Sequence, residues 1–386
     1  MKELLVLNFI NSHKNWEEVL SSSPYNIIIK KKEPFILLKY NQVEPKSDMS
    51  DMMVQECRGL ILKDENGHYK VASMRFNKFF NYGQEEAATL KFPCIASEKI
   101  DGSLIGVWYD EDSGWHVSTS GNIDAEDANM VNVNGLSNFR DLFNIAWKNS
   151  YFDNMDKNLT YMFELVSPYN KLVVPYSKTK LYLLAIRNNI TLEEFKIEDV
   201  VSRGKATFDD DILYPKYFVC NSINEIKEKA DALKDDSENW EGFVLCDDNF
   251  ERIKLKSPLY TNLFFMRGDG LFGDKKILEI ILSQQDDDIL AYFPEYKESF
   301  ERIRRGLSLF ISSIKKDLQD YKGASLFDKK GFAERIKGSK NKSVLFLAYD
   351  YDYWDKDEDW QMNFIKDYID KLYIHKLLDR VYEELL

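Results

Sequence analysis

Apolar and polar residues alternate with period two through Arg252-Ile253-Lys254-Leu255-Lys256, which puts three cations on one face of a strand and two aliphatics on the other. Other short runs read as strands too. Cys94 to Ser97 is extended, and Leu104 to Tyr109 reads as its returning partner across an Asp101-Gly102 hairpin turn. Tyr161 to Val166 is apolar except for Glu164. Trp240 to Leu245 contains a Glu241-Gly242 pair near its start, and Leu60-Ile61-Leu62 follows Glu56-Cys57-Arg58-Gly59. Capping-box patterns at Thr191 to Glu194 and Ser222 to Glu225 each predict a helix start, and 128–150 reads as another helix.

Beyond residue 260 the period changes. Phe300, Ile303, Leu307, Phe310, Ile311, Ile314 and Leu318 recur at spacings of three and four, the mark of one long amphipathic helix. Trp360, Phe364, Tyr368, Ile369, Leu372, Leu377 and Val381 predict a second. The chain therefore divides into a strand-rich first domain, 1–262, and a mainly helical second one, 263–386. Its 386 residues suffice for two cores, and neither an internal repeat nor a low-complexity linker interrupts them.

Net charge is −13, which argues against extensive duplex binding while leaving room for a local basic groove. Cys57, Cys94, Cys220 and Cys246 are scattered and, with four histidines, offer no zinc spacing. No apolar run approaches a membrane span and no signal pattern opens the chain. A soluble protein of a reducing cytoplasm, or of an infected host's cytoplasm, is expected.

The candidate chemistry centres on Glu98-Lys99-Ile100-Asp101-Gly102-Ser103. A lysine at a strand end can attack an electrophile once deprotonated, which neighbouring cations or burial favour. A plain hairpin would give the same local sequence. The cation face of Arg252, Lys254 and Lys256 suits a phosphate clamp, or merely a soluble edge. Glu164, in an apolar run, needs a partner if buried.

Together these segments resemble the covalent nucleotidyltransferases, the group of DNA ligases, RNA ligases and mRNA capping enzymes. The resemblance runs in order through Lys99-Ile100-Asp101-Gly102-Ser103, Phe163-Glu164, Leu181 to Arg187, Glu241-Gly242-Phe243-Val244 and Lys254-Leu255-Lys256. Glu56-Cys57-Arg58-Gly59, Lys78-Phe79-Phe80-Asn81, Pro168-Tyr169-Asn170 and Lys256-Ser257 with Tyr260 make it most similar to ATP-dependent RNA ligases of the T4 RNA ligase 1 type, over about residues 35–262. The helical tail agrees, since DNA ligases and capping enzymes typically place a β-barrel there.

The resemblance implies an α+β fold, with antiparallel sheets and flanking helices in the first domain and a helical second domain. It implies three steps: Lys99 takes AMP from ATP, AMP passes to an RNA 5′-phosphate, and a 3′-hydroxyl displaces it. Lys254 and Lys256 would neutralise the α-phosphate, Glu164 would accept a ribose hydroxyl, and Arg58 and Lys78 would hold the β- and γ-phosphates. Tyr40, Phe80 and Tyr260 would line the nucleotide pocket, with core packing the equal alternative. Magnesium, with manganese possible in its place, is implied, with Asp101, Glu241 and Asp287 as candidate carboxylates; Asp287 is also well placed to cap a helix. The basic stretch Lys329, Lys330, Arg335, Lys337, Lys340 and Lys342 is either a solvated loop or an RNA backbone contact. The expected partner is RNA with 5′-phosphate and 3′-hydroxyl ends, single-stranded or a tRNA-like break, handled by a monomer in RNA repair. A DNA ligase, a capping guanylyltransferase and an inactive RNA-binding relative are the competing readings. One departure stands out: Ser120 occupies a place where such ligases usually carry a lysine or arginine.

Overall fold

The computed structural model describes all residues except 1–3, 43–44, 134, 171–173, 175, 233–240, 257–272, 285, 287–288 and 291–295. Two compact units emerge, one of 1–41 with 46–269 and one of 42–45 with 270–386. The expected boundary at 262 falls outside the described residues.

In the first unit, helices α1 (Leu5–Ser12) and α2 (Trp16–Ser21) precede β1 (Ile28–Lys32) and β2 (Phe35–Lys39), and α3 (Met52–Glu56) leads into β3 (Arg58–Glu65), β4 (His68–Ser73) and β5 (Phe80–Asn81). There follow β6 (Cys94–Lys99), β7 (Ser103–Asp110), β8 (Gly114–Thr119), β9 (Asn129–Val133), β10 (Leu136–Asn138) and α4 (Phe139–Ala146). The unit continues through β11 (Leu159–Val166), β12 (Lys180–Asn188), α5 (Ile197–Thr207), β13 (Ile212–Leu213), β14 (Tyr217–Cys220), α6 (Ile223–Ala232), β15 (Gly242–Cys246) and β16 (Arg252–Lys256).

Three sheets organise these strands: β1-β2-β3-β4, β13-β12-β11-β7-β8 and β14-β6-β15-β16-β5. The mixed α+β architecture follows from how each sheet hides one face. In the third, Ala96, Phe243, Leu245, Ile253 and Leu255 pack with Ile226 and Ala230 of α6. The opposite face keeps the lysines of β6 and β16. The first and second sheets meet through Phe35, Leu37, Ile61, Trp108 and Ile123.

Three sequence expectations are corrected here. Asp101-Gly102 is no hairpin turn, because β6 and β7 belong to different sheets. Gly102 is instead demanded by close approach: a Cβ there would lie 2.5 Å from the Leu165 carbonyl oxygen and 3.0 Å from Glu164 Cγ. Thr191 starts no helix. Asn188 Oδ1 accepts from the amides of Ile190 and Thr191, and Glu194 pairs with Arg187 rather than capping, so α5 begins only at Ile197. The 128–150 segment is the β9–β10 pair followed by a short helix, which Asn138 caps by accepting from Asp141 N at 2.9 Å. Ser222 does cap α6, accepting from Glu225 N at 3.2 Å.

The second unit is helical: α7 (Asp274–Leu282), α8 (Lys297–Asp320), α9 (Lys329–Arg335), α10 (Lys342–Asp350), α11 (Glu358–Asp370) and α12 (Ile374–Leu385). The predicted stripe of α8 is buried from Phe300 to Leu318, with Ile311 half-buried. The second predicted helix is two. It breaks at 371–373, which apolar spacing alone does not mark, because Ile365 and Ile369 before the break and Leu377 and Val381 after it are all buried. A Cβ on Gly306 of α8 would come within 2.6 Å of Val381 Cγ1, so α12 packs closely on α8. Among the described residues no helix is long and apolar enough to cross a membrane.

Glu56 is buried, and its two oxygens accept from Leu5 N at 3.1 Å and Val6 N at 2.8 Å. These are amides of the first turn of α1, which have no acceptor within the helix. Glu56→Ala should therefore cost roughly 1–3 kcal/mol. Urea unfolding measures it, and an unchanged midpoint would show that α1 is held by its apolar face alone.

Candidate active site

Lys99 ends β6, and the register places it beside Gly242 of β15, which in turn lies beside Lys256 of β16. Glu241 sits at the head of this three-strand row. Its Oε2 accepts from Lys99 Nζ at 2.7 Å, and its Oε1 pairs with Lys256 Nζ at 3.3 Å. Glu241 and Lys256 are both buried and Lys99 is partly exposed, so Lys99 alone of the three faces outward. Period two carries Lys254 to the same face as Lys256.

Arg252 shares that face by alternation but is withdrawn from it. It pairs with Glu194, which also takes Arg187 Nη2 at 2.7 Å. This Arg187–Glu194–Arg252 group, buried at Arg187 and Glu194 and half-buried at Arg252, ties β16 to the end of β12, so Arg252 anchors the strand that carries the two lysines.

An aromatic step lies beside β16. Segment 77–80 enters β5, which runs parallel to β16 with Phe80 beside Ile253 and Asn81 beside Lys254. Lys78 Nζ stands 5.3 Å from the ring centres of both Tyr40 and Phe80. Phe79 lies between Arg58, at 4.8 Å, and Lys254, at 5.9 Å. Tyr40 and Phe80 are buried, and Tyr40 belongs to the core under the first sheet. Phe79, half-buried, is the ring the sequence reading passed over, although the paired Phe79-Phe80 signalled that alternate residues would face opposite ways.

Glu164 projects from β11 of the second sheet, opposite Leu104 and Tyr182. Burial pushes its carboxyl up to about 8; Lys99 and Arg58 oppose the rise, and Glu241 and Asp101 add to it. Those influences place Lys99, Glu241, Arg58 and Asp101 around one carboxyl group. Among the described residues the Glu164 carboxyl has no hydrogen-bond partner, so it is open to a ligand hydroxyl. Asp101 is buried, and its Oδ2 accepts from Val174 N at 2.8 Å while its own amide donates to Tyr176 Oη at 3.3 Å. Asn170 donates to Ser103 Oγ at 2.8 Å, so Asn170, Val174 and Tyr176 are each fastened to the strand crossover beside Lys99.

No group of three histidine, cysteine or acidic side chains is arranged as a metal cage among the described residues. Glu241 spends both oxygens on ammonium groups and Asp101 one on a backbone amide. Tyr260 and Asp287 lie outside the described residues, as do Trp240 and Ser257. Asp286 is described and pairs with Arg304, its Oδ2 accepting from Nε at 2.7 Å. In the basic stretch, Lys329 pairs with Asp350, Lys337 with Glu334, and Arg335 lies over the Phe327 ring. Beside Ser120, Lys39 Nζ comes within 3.6 Å of where a Cβ on Gly121 would stand, so a lysine from β2 approaches the loop that lacks one.

A sequence profile of the family described as RNA ligase matches residues 56–266. A protein of Autographa californica nuclear polyhedrosis virus, provisionally named a bifunctional polynucleotide kinase/RNA ligase, is 31% identical over 280 residues, covering 68% of this chain and 38% of its own. The chain thus spans well under half the length of that relative. An RNA ligase of Rhodothermus phage RM378 is 25% identical over 360 residues, with 77% of this chain and 81% of the phage protein covered. Among solved structures, an archaeal ATP-dependent RNA ligase superimposes with a TM-score of 0.45 at 13% identity, over 81% of this chain and 79% of its own.

The Glu164 carboxyl generates a pH test. Folded, it keeps its proton up to about 8, whereas its ordinary value is 4.5. Between those values the folded state binds more protons, so this group's contribution to stability falls as pH rises. Glu164→Gln should remove that slope: equal melting temperatures near pH 4.5, and a variant more stable than wild type by a few degrees above pH 8. Parallel curves across the range would show that the carboxyl ionises as in water.

Proposed function

Since the chain belongs to the RNA ligase family, we propose that it is an ATP-dependent RNA ligase that joins 5′-phosphate and 3′-hydroxyl RNA ends through a lysyl-AMP and then an adenylated RNA, in RNA repair. The observation that carries this reading is the Glu241 carboxylate held between Lys99 and Lys256, with Lys254 on the same face. It presents one partly exposed amine against two fixed cations, the arrangement needed to transfer a phosphoryl group to nitrogen.

In the first step Lys99 Nζ, having given up a proton, attacks the α-phosphorus of ATP. A nitrogen–phosphorus bond forms as the bond from that phosphorus to the bridging oxygen breaks, and pyrophosphate leaves with the electron pair. Glu241 Oε2, at 2.7 Å, is placed to accept the proton. Lys254 and Lys256 stabilise the charge spread over the α-phosphate oxygens. Arg58 and Lys78 face the leaving pyrophosphate, the guanidinium suiting a terminal phosphate. Glu164 accepts from a ribose hydroxyl and so sets the nucleotide's orientation. AMP then passes from Lys99 to the RNA 5′-phosphate as a phosphoanhydride, freeing the amine. Attack by the 3′-hydroxyl forms the phosphodiester and releases AMP.

A divalent cation would supply charge neutralisation on the phosphates. Its fit here is of the kind in which the substrate phosphates provide most of the ligands and one or two carboxylates assist. Asp101, one of whose oxygens accepts from Val174 N, would be the first of these, and Glu241 would assist only by releasing one of its two lysine partners.

Intact mass after incubation with ATP and magnesium tests the proposal: wild type should gain one AMP, and Lys99→Ala none, with an unchanged circular dichroism spectrum. Labelling by GTP instead of ATP would point to a guanylyltransferase. No adduct with either would point to an inactive relative. Persistent AMP labelling of Lys99→Ala would remove Lys99 as nucleophile.

Lys254→Ala and Lys256→Ala should each slow AMP transfer at saturating ATP by about a hundredfold or more, the loss typical of one electrostatic stabiliser. Arg252→Ala should chiefly lower the melting temperature, because it leaves Glu194 with one buried partner fewer. Single-turnover rates per folded molecule separate the two effects. Equal modest losses in all three would reduce β16 to a charged edge.

A further inference from the structure

Arg75 follows β4 where the first and second sheets meet, and it is 1% exposed. Its Nη2 donates to the Gly59 carbonyl oxygen at 2.5 Å and its Nη1 to Ser118 Oγ at 3.1 Å, while Nε has no partner. Ser118 in turn donates to the Gly106 carbonyl. Every acceptor the guanidinium reaches is neutral, and among the described residues no carboxylate pairs with it. The other buried cations are matched: Lys63 with Asp110 and Asp112, Arg187 with Glu194, Lys256 with Glu241. The charge that does act on Arg75 is of like sign, that of Arg58. Burial and that neighbour hold its pKa down to about 9, which leaves it a cation at neutral pH.

An unpaired buried charge is costly, and natural folds ordinarily match it. This one is built in. Gly59 has φ +73°, and a side chain there would strike Arg75 Nη2 and stand 2.8 Å from the Ser120 carbonyl oxygen. The backbone carrying Arg58 is thus shaped around the second guanidinium.

We propose that Arg75 is a positioning residue for the triphosphate: through the Gly59 carbonyl it fixes the Arg58 backbone, and its buried charge makes the polyphosphate of ATP the counter-ion that the unliganded fold lacks. This rests on the ATP reading above. Arg58 makes the contact, and Arg75 stands behind it in a medium where its field is poorly screened. The arrangement trades stability of the empty protein for affinity. Polyphosphate should stabilise the fold through Arg75 even where no chemistry can follow.

Full-length wild type, R75M and R75K would be titrated with inorganic tripolyphosphate without metal, reading dissociation constant and melting temperature, and KM and kcat for AMP transfer would be measured separately. R75M keeps the length of the side chain and removes its charge. It should melt at or above wild type when empty, bind tripolyphosphate at least tenfold more weakly, and show a larger rise in KM for ATP than fall in kcat. R75K keeps the charge and should recover part of that affinity. R75M that melts lower but binds tripolyphosphate and ATP like wild type would make Arg75 a strut between sheets and overturn the proposal. If R75M does not fold, R75Q, which removes the charge and keeps a hydrogen-bond donor, decides instead: unchanged KM and tripolyphosphate affinity overturn the proposal, and loss of affinity at unchanged kcat supports it. Wild type that takes AMP from ATP while R75M binds normally defeats this inference only; wild type that never takes AMP defeats the ATP reading itself.

Discussion

A single carboxylate, that of Glu241 just before β15, holds the ends of β6 and β16 in one electrostatic arrangement. With one oxygen on Lys99 and the other on Lys256, it cancels much of the repulsion that would otherwise separate two ammonium groups flanking the same strand. Both lysines neighbour Gly242 in register, so the separation of their Cα atoms is set by strand spacing. The fold can therefore hold two ammonium groups close together on one carboxylate.

Other buried charges of the first unit tie its elements to one another. Glu194 grips Arg187 and Arg252, fixing β16 to β12. Lys63 joins β3 to Asp110 at the end of β7, stapling the first sheet to the second. Glu56 turns inward to hold the first turn of α1. Each is a polar group buried with its partners, and each lies where two elements would otherwise slide past one another. Arg75 is the exception among them, and it lies directly behind the cation expected to meet the phosphates.

Much of the site was legible because strand periodicity is local. Arg252 to Lys256 showed its two faces, Glu164 stood out as a lone carboxylate in an apolar run, and the α8 stripe could be read residue by residue. Arg75 was not legible, since a single arginine between Met74 and Phe76 carries no periodic mark. Its meaning depends on Gly59, Ser118 and Arg58 meeting it from other strands. Thr191 to Glu194 misled for a related reason: a capping box offers Glu194 one local partner, and two guanidinium groups from elsewhere compete for it.

By itself, then, the chain determined its family, because motif order along strands is a one-dimensional property. It also determined that a helical module follows, because a period of three and four survives whatever the helix packs against. Only the tertiary structure decided that Asp101-Gly102 carries the chain from one sheet to another, that Arg252 pairs with Glu194 while Lys256 pairs with Glu241, and that the last amphipathic stretch breaks into two helices. The physical reason is common to all three. Sheet membership, ion-pair choice and helix breaks are settled by competition among distant groups for the same space and the same charges, and no local pattern records which competitor wins.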